Sequence, residues 1–429
     1  MKGRQVRRSA RTVAGLTVAL ILALALSGAL RVAAQQPRRG ASVSKHHASP
    51  RHRFTRGRAA PRIPFESVHN IVFVQTRVNN SKPLWFVLDT GASASIINAR
   101  VAKELGLRAA RTERSTGTGG EVEAGMIDGV TLSLPGVEVF NQTVGSLPLD
   151  DLAPTAGRAI GGILGYDFIK EFVVEIDYDA KLLNLYEPAG YVYKGTGEVV
   201  PVSFSGNKPT AKAALVLSGD APFEGTFEID TGSDELMLVN SPFVKAHRLN
   251  ELVSNFRLGN SGGVGGMVRS QTGRVAGVRL GRFTFDRPLV TLSQANAGSA
   301  ATAAYDGELG GELFRRFKMI LDYSRRRIIL EPNAHLNDPV ETDMSGLEFG
   351  GEGDDFKRYV VNEVSEHSPA AEAGVKEEDV LTAVDGRPAS SLTLEEVRAL
   401  LRREGEERVL TVRRGDKTLS FRIKLRRLL

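Results

Sequence analysis

The sequence predicts a mainly β chain, two duplicated β lobes followed by a small α+β domain. Three observations carry this. First, LWFVLDTGASASIIN over residues 84–98 returns as FEIDTGSDELMLVN over residues 227–240. In each copy an extended apolar run meets Asp-Thr-Gly and apolar residues then resume, the pattern of a buried strand whose tight turn presents an aspartate. Second, a later block is repeated as well. Ile163-Leu164-Gly165 and FIKEFVVEIDYDAKLLNLYEP follow the first copy; Glu308-Leu309-Gly310 and LFRRFKMILDYSRRRIILEP follow the second. Asp89 and Asp230 are 141 residues apart, and Asp177 and Asp322 are 145 apart. A constant order with a small insertion is what a duplicated lobe gives, and two copies suit a symmetric pair fused into one chain. Third, short apolar runs broken by Gly and Pro fill both copies, and neither has a long amphipathic helix.

The chain opens with Lys2, Arg4, Arg7, Arg8 and Arg11, then an apolar stretch densest from Leu16 to Leu26, then Val32-Ala33-Ala34. Residues 1–34 therefore read as a secretory signal peptide. The alternative is a retained membrane anchor, since residues 13–30 approach bilayer length. Either way the protein is expected to be exported, to the periplasm or the extracellular space. Residues 35–62 are Arg, Ser, Pro, Ala and His with little apolar content and read as a disordered basic linker. Residues 1–62 hold 14 of the 56 Lys/Arg and none of the 50 Asp/Glu, leaving the rest of the chain near −8. The overall charge of +6 thus sits in a tail, and a nucleic-acid partner is not expected. Cysteine is absent, which excludes disulfides and a lipid-modified N-terminal Cys. His46-His47 lack an accompanying carboxylate or Cys cluster, so no metal is expected.

The first lobe is placed at residues 63–190. Ile71–Val78 and the run into Asp89 form a hairpin across Asn79-Asn80-Ser81. Residues 98–107 read as a short helix ended by Gly106. STGTGG over 115–120 is a Gly-rich turn between extended stretches; no Gly-Lys-Ser/Thr follows, so a phosphate loop is excluded. Residues 129–139 give paired strands turning at Pro135-Gly136. The second lobe, residues 199–333, repeats the plan, with a helix over 241–249, a glycine-rich stretch over 259–266 and a strand pair over 277–285.

The third unit spans residues 340–427. Gly346-Leu347-Glu348-Phe349 precedes a strand over 359–364. Ser368-Pro369 starts a helix that Gly374 ends. Residues 380–384 form a strand turning at Asp385-Gly386. Thr393 and Glu396 make a capping box for a helix that buries Leu394, Val397, Leu400 and Leu401 and stops at Gly405. A closing hairpin turns across Arg414-Gly415-Asp416.

The doubled Asp-Thr-Gly-Ala/Ser, with the later apolar-apolar-Gly of each lobe, resembles the pepsin/retropepsin-like aspartic proteases over about residues 65–333. The second lobe departs from that pattern at Glu308, where an apolar residue is usual. The C-terminal order resembles a bacterial PDZ domain, and the whole is similar to bacterial exported aspartyl proteases that carry one. The resemblance implies a catalytic pair, Asp89 and Asp230, on loops supported by Thr90, Gly91, Ala92, Thr231, Gly232 and Ser233. It makes the Ser115–Gly120 region a flap over substrate. It also makes Gly346, Leu347, Glu348 and Phe349 a carboxylate-binding loop, with Val397 beside the bound peptide.

The chemistry follows from the residue types. Two carboxylates held close cannot both ionise cheaply, so one keeps a proton while the other stays charged. The pair then supplies both the base that activates water and the acid that polarises the scissile carbonyl. No cofactor is required. Ser233 follows Gly232 where Ala92 follows Gly91, and a serine hydroxyl donating to Asp230 would leave the proton on Asp89. The expected function is an exported aspartic endopeptidase acting on polypeptides, a monomer because one chain holds both lobes, whose PDZ domain binds C-termini. The alternative is an exported peptide-binding scaffold with a weakly active or vestigial protease fold.

Overall fold

The computed structural model describes residues 51–217, 221–253 and 255–429, and the backbone of Leu20–Ile21 and Ala25–Leu26. The signal or anchor stretch and His46-His47 otherwise lie outside the described residues. Among the described residues the chain is mainly β, with three sheets. Each lobe is built on the same crossing. In the first, Leu84–Leu88 runs parallel to Gly162–Leu164, with Val87 beside Ile163 and Leu88 beside Leu164. In the second, Phe223–Ile229 runs parallel to Gly307–Leu309, with Glu228 beside Glu308 and Ile229 beside Leu309. Both aspartates are thus the next residue after a buried strand.

The second repeated block joins the lobes. Val173–Asp177 pairs antiparallel with Phe317–Asp322, Val174 facing Leu321 and Asp177 facing Lys318. Each strand also pairs with its own following strand, Leu182–Tyr186 in one lobe and Arg327–Pro332 in the other. The pairing is a pseudo-two-fold seam. Phe168, Phe172, Phe314 and Phe317 are fully buried along it; truncating any one to Ala is worth about 3–5 kcal/mol. This rigid base sets the separation of the two aspartate loops.

Each lobe carries a long hairpin. In the first, Arg111–Thr116 and Glu121–Leu134 pair across the STGTGG turn, Thr116 facing Glu121. In the second, Phe256–Gly263 and Gly266–Arg274 pair across a two-residue turn with Gly265 at φ +91. The backbone of Leu20–Ile21 runs parallel to Phe256–Gly263, and that of Ala25–Leu26 antiparallel to Arg111–Thr116.

Three local expectations are modified. The described part of the stretch read as a disordered linker is strand-paired: His52–Phe54 pairs with Val137–Val139, and Ala59–Val68 pairs with Leu182–Tyr186. His52 supplies the reason. Its ring bonds Glu171 at 3.4 Å and Glu187 at 3.1 Å, partners more than a hundred residues away that composition does not reveal. The helix expected over 241–249 is two short ones, Ser241–Ala246 and Leu249–Leu252, divided by Arg248 at φ +52. The helix after Asn98 runs Ala99–Glu104, with the Asn98 side chain accepting from the Arg100 amide.

The C-terminal domain is a sheet in the order Leu347–Glu352, Arg358–Val364, Val380–Val384, Glu407–Arg414, Lys417–Lys424. Ser368 caps Pro369–Ala373, which ends at Gly374 with φ +90. Thr393 and Glu396 form the reciprocal capping box of Leu394–Leu400. Leu347–Glu352 is the edge strand, and it packs against the Ala153–Ala156 helix of the first lobe.

Candidate active site

The Asp-Thr-Gly turns face one another across the seam and are locked by their threonines. The Thr90 amide donates to Thr231 Oγ1 at 3.1 Å and the Thr231 amide to Thr90 Oγ1 at 3.0 Å. Each hydroxyl then donates onward into the opposite lobe: Thr90 to the Ile229 carbonyl at 2.5 Å and Thr231 to the Leu88 carbonyl at 2.7 Å. All four bonds are buried, where an unmade one costs about 1–3 kcal/mol. The lock therefore fixes the two loops to each other as one unit.

Gly91 and Gly232 make the close approach feasible. A Cβ on Gly91 would lie 2.6 Å from Asp230 Cγ, and one on Gly232 would lie 2.5 Å from Asp89 Cγ. Any side chain there would separate the carboxyls. Asp89 Oδ1 accepts from the Gly91 amide at 2.8 Å and the Ala92 amide at 3.0 Å. Asp230 Oδ1 accepts from the Gly232 amide at 2.8 Å. The Oδ2 atoms of both residues are buried without a protein partner. Two acceptors left open in one enclosed place are a binding site for a polar group or a proton.

Burial, and then the negative charge of Asp230, hold the Asp89 carboxyl well above the ordinary carboxylate range. Burial raises Asp230 too, but the Lys208 ammonium and the Gly232 amide pull it back. The shared proton therefore belongs on Asp89. Its expected cause is corrected: the Ser233 hydroxyl makes no hydrogen bond to the Asp230 carboxyl, and Ser233 reaches Asp230 only through its amide, which donates to the Asp230 carbonyl at 3.4 Å. Lys208, whose Nζ bonds Glu228 Oε1 at 2.9 Å and Oε2 at 3.1 Å, lowers both carboxyls; the asymmetry is that the Asp230 charge raises Asp89, whereas Lys208 and the Gly232 amide are the first groups to oppose burial at Asp230. Neither Lys208 nor Glu228 figured in the sequence reading. The signal was present, since aligning the two copies sets Glu228 against Val87.

The glycine-rich turns form two flaps that touch. The Thr118 amide donates to the Val264 carbonyl at 2.6 Å, and the Ser299 amide donates to the Gly117 carbonyl at 3.0 Å. A Cβ on Gly117 would overlap the Val264 carbonyl, which is why the tip carries no side chain there.

In the C-terminal domain Gly346 has φ +82, and Leu347, Phe349 and Val397 are buried in the domain's own core. Gly346, Leu347, Glu348 and Phe349 line a cavity of about 180 Å³ whose other wall is the protease body, including His69 and Arg257. Val397 is fully buried in that core and does not line the cavity. Arg398, one residue on, spans it: Nη2 donates to the Phe349 carbonyl at 3.1 Å and Nη1 to the Thr155 carbonyl at 3.0 Å. Burial, then the Glu363 charge, pushes the Glu348 carboxyl up to about 8.

The aspartyl protease family model matches residues 74–168 and the PDZ domain model matches residues 360–414. A probable CtpA-like serine protease of Staphylococcus haemolyticus is 29% identical over 130 residues, 30% of this chain and 24% of that protein. The chain thus spans about a quarter of that curated relative. It combines an aspartyl protease domain with a PDZ domain.

Proposed function

We propose that this protein is an exported aspartic endopeptidase that hydrolyses peptide bonds with a water held between Asp89 and Asp230, and that its PDZ domain binds polypeptide C-termini. The observation that carries the reading is the pair of buried carboxyls, each closely approached by the glycine of the opposite loop and each with an Oδ2 that no surrounding group bonds, on loops locked by Thr90 and Thr231. Asp230, the charged member, takes a proton from the water as it attacks. Asp89, the protonated member, hydrogen-bonds the scissile carbonyl oxygen and stabilises the charge that develops there. A proton passed to the departing nitrogen completes the cleavage and resets the pair.

Export rests on the basic, apolar and small-residue order of residues 1–34. Monomeric action rests on one chain completing the pair. The serine-protease name belongs to a relative that matches a third of this chain, and here the facing groups are carboxylates. The test is hydrolysis of an unfolded polypeptide by the mature chain, with a statine-type inhibitor and a serine-directed fluorophosphonate in parallel. The reading expects inhibition by the first and none by the second; the reverse pattern would overturn it.

A further inference from the structure

The strands that carry the two aspartates are built on the same frame and bear opposite side chains at matching positions. Strand register aligns four positions. Val87 and Ile163 lie side by side in the first lobe, where Glu228 and Glu308 lie side by side in the second. Ile71 precedes by two the residue facing Val87, as Lys208 precedes by two the residue facing Glu228. Ile160 and Tyr305 match because their carbonyls accept from Asn98 and Asn240, both at 3.0 Å. In the first lobe all four are apolar and share one buried cluster with Val264 from the tip of the opposite flap. In the second all four are polar. Exchanging well-packed apolar side chains for buried charges costs desolvation, so the exchange calls for a physical account.

The hydrogen bonds locate what is unfinished. Lys208 spends its ammonium on both oxygens of Glu228 and on the Tyr305 hydroxyl at 3.3 Å. That ion pair is closed and neutral. Glu308 is 3% exposed, and its Oε1 has no partner. It stands on Asp230's face of the sheet, since Glu228 precedes Asp230 by two residues and Glu308 lies beside Glu228. With Lys208 and Glu228 cancelling, an ionised Glu308 leaves this wall with one net negative charge beside the negative charge of the dyad.

We propose that the Asp230 half of the cleft is a pocket for a cationic substrate side chain, lysine or arginine, next to the scissile bond, with Glu308 as the residue that meets it. This rests on the proposal that the cleft holds a peptide. The first-lobe half, walled by Val87 and Ile163, takes an apolar side chain. Burial, then the charges of Asp230 and Glu228, keep Glu308 protonated without ligand. An arriving ammonium or guanidinium ionises it, and the proton leaves to solvent. Binding of a cationic substrate therefore tightens as pH rises, and binding of an apolar one does not.

The experiment uses the full mature chain and a peptide set that differs only in Lys, Arg, Leu or Glu at the two residues flanking the cleaved bond. One arm reads kcat/KM and its pH dependence. A second reads binding of matching statine peptides by calorimetry, so that preference is measured even without turnover. The expected result is at least a tenfold preference for Lys or Arg over Leu at one flanking residue. Glu308→Gln, which keeps shape, and Glu308→Ile, the first-lobe residue, should both abolish that preference. A wild-type preference for Leu at both flanks, or a cation preference unchanged in Glu308→Gln, overturns the proposal. Cleavage without cation preference defeats this inference and spares the protease reading. Cation-selective binding without cleavage does the reverse.

Discussion

Thr90 and Thr231 each accept the other's main-chain amide, at 3.0 and 3.1 Å, across the join between the two lobes. The exchange makes the relative position of the two aspartate loops a property of two hydroxyls. Thr231→Val keeps the shape and removes both bonds of one hydroxyl. It leaves the Thr90 amide and the Leu88 carbonyl buried and unpaired, at about 1–3 kcal/mol each. Urea unfolding should show that loss, kcat/KM should fall with it, and Thr231→Ser should restore both. A Val variant as stable and active as the parent would mean that the lobes are positioned by the sheet alone.

The dyad should oppose stability at neutral pH. Asp89 is raised in the folded state, whereas in the unfolded chain it titrates at about 3.9. Between those values the folded state binds more protons, so stability falls as pH rises through that window. Asp89→Asn removes the burden. Its urea midpoint should exceed that of the parent at pH 7, and the gain should shrink toward pH 4 and below. Equal gains at both pH values would contradict the assignment.

Gly117 meets the Val264 carbonyl at the flap tips with no room for a Cβ. Gly117→Ala should hold the flaps apart and raise KM several-fold, with a thermal midpoint near that of the parent. An unchanged KM would show that the tips need not meet for substrate to be held.

Arg398 donates to the Phe349 carbonyl, an acceptor on the edge strand that an added peptide strand would use. It also ties that groove to Thr155 of the first lobe. Arg398→Ala in the full chain should free the edge and strengthen binding of a labelled peptide with an apolar C-terminus by about tenfold, the worth of one charge-assisted bond. Fluorescence anisotropy reads this directly, and weaker binding would assign Arg398 to the ligand instead.

What was legible in the sequence was local or duplicated. Asp89-Thr90-Gly91 and Asp230-Thr231-Gly232 stand in strand–turn contexts that each repeat could be read against the other. The Thr393–Glu396 box is complete within four residues. What was not legible depends on partners distant in the chain. His52 orders the start of the first lobe through Glu171 and Glu187. Lys208 reaches Glu228 only because the two strands pair as a hairpin. The place of Ser233 in the motif suggests a hydroxyl donor to Asp230, but no hydrogen bond joins that hydroxyl to the carboxyl, and Glu308, which also bears on the site, arrives on a different strand. The docking of the PDZ edge strand on the protease body, through Arg398 and Thr155, has no counterpart in any sequence pattern.

The central claim is that Asp89 and Asp230 share one proton and need each other. Its most direct measurement is cleavage of one unfolded polypeptide by the parent, Asp89→Asn and Asp230→Asn, each shown by circular dichroism to be folded. The account predicts that either substitution lowers kcat by about a thousandfold or more, because each removes one of the two protonation roles. Cleavage within a few-fold of the parent by either folded variant would contradict it.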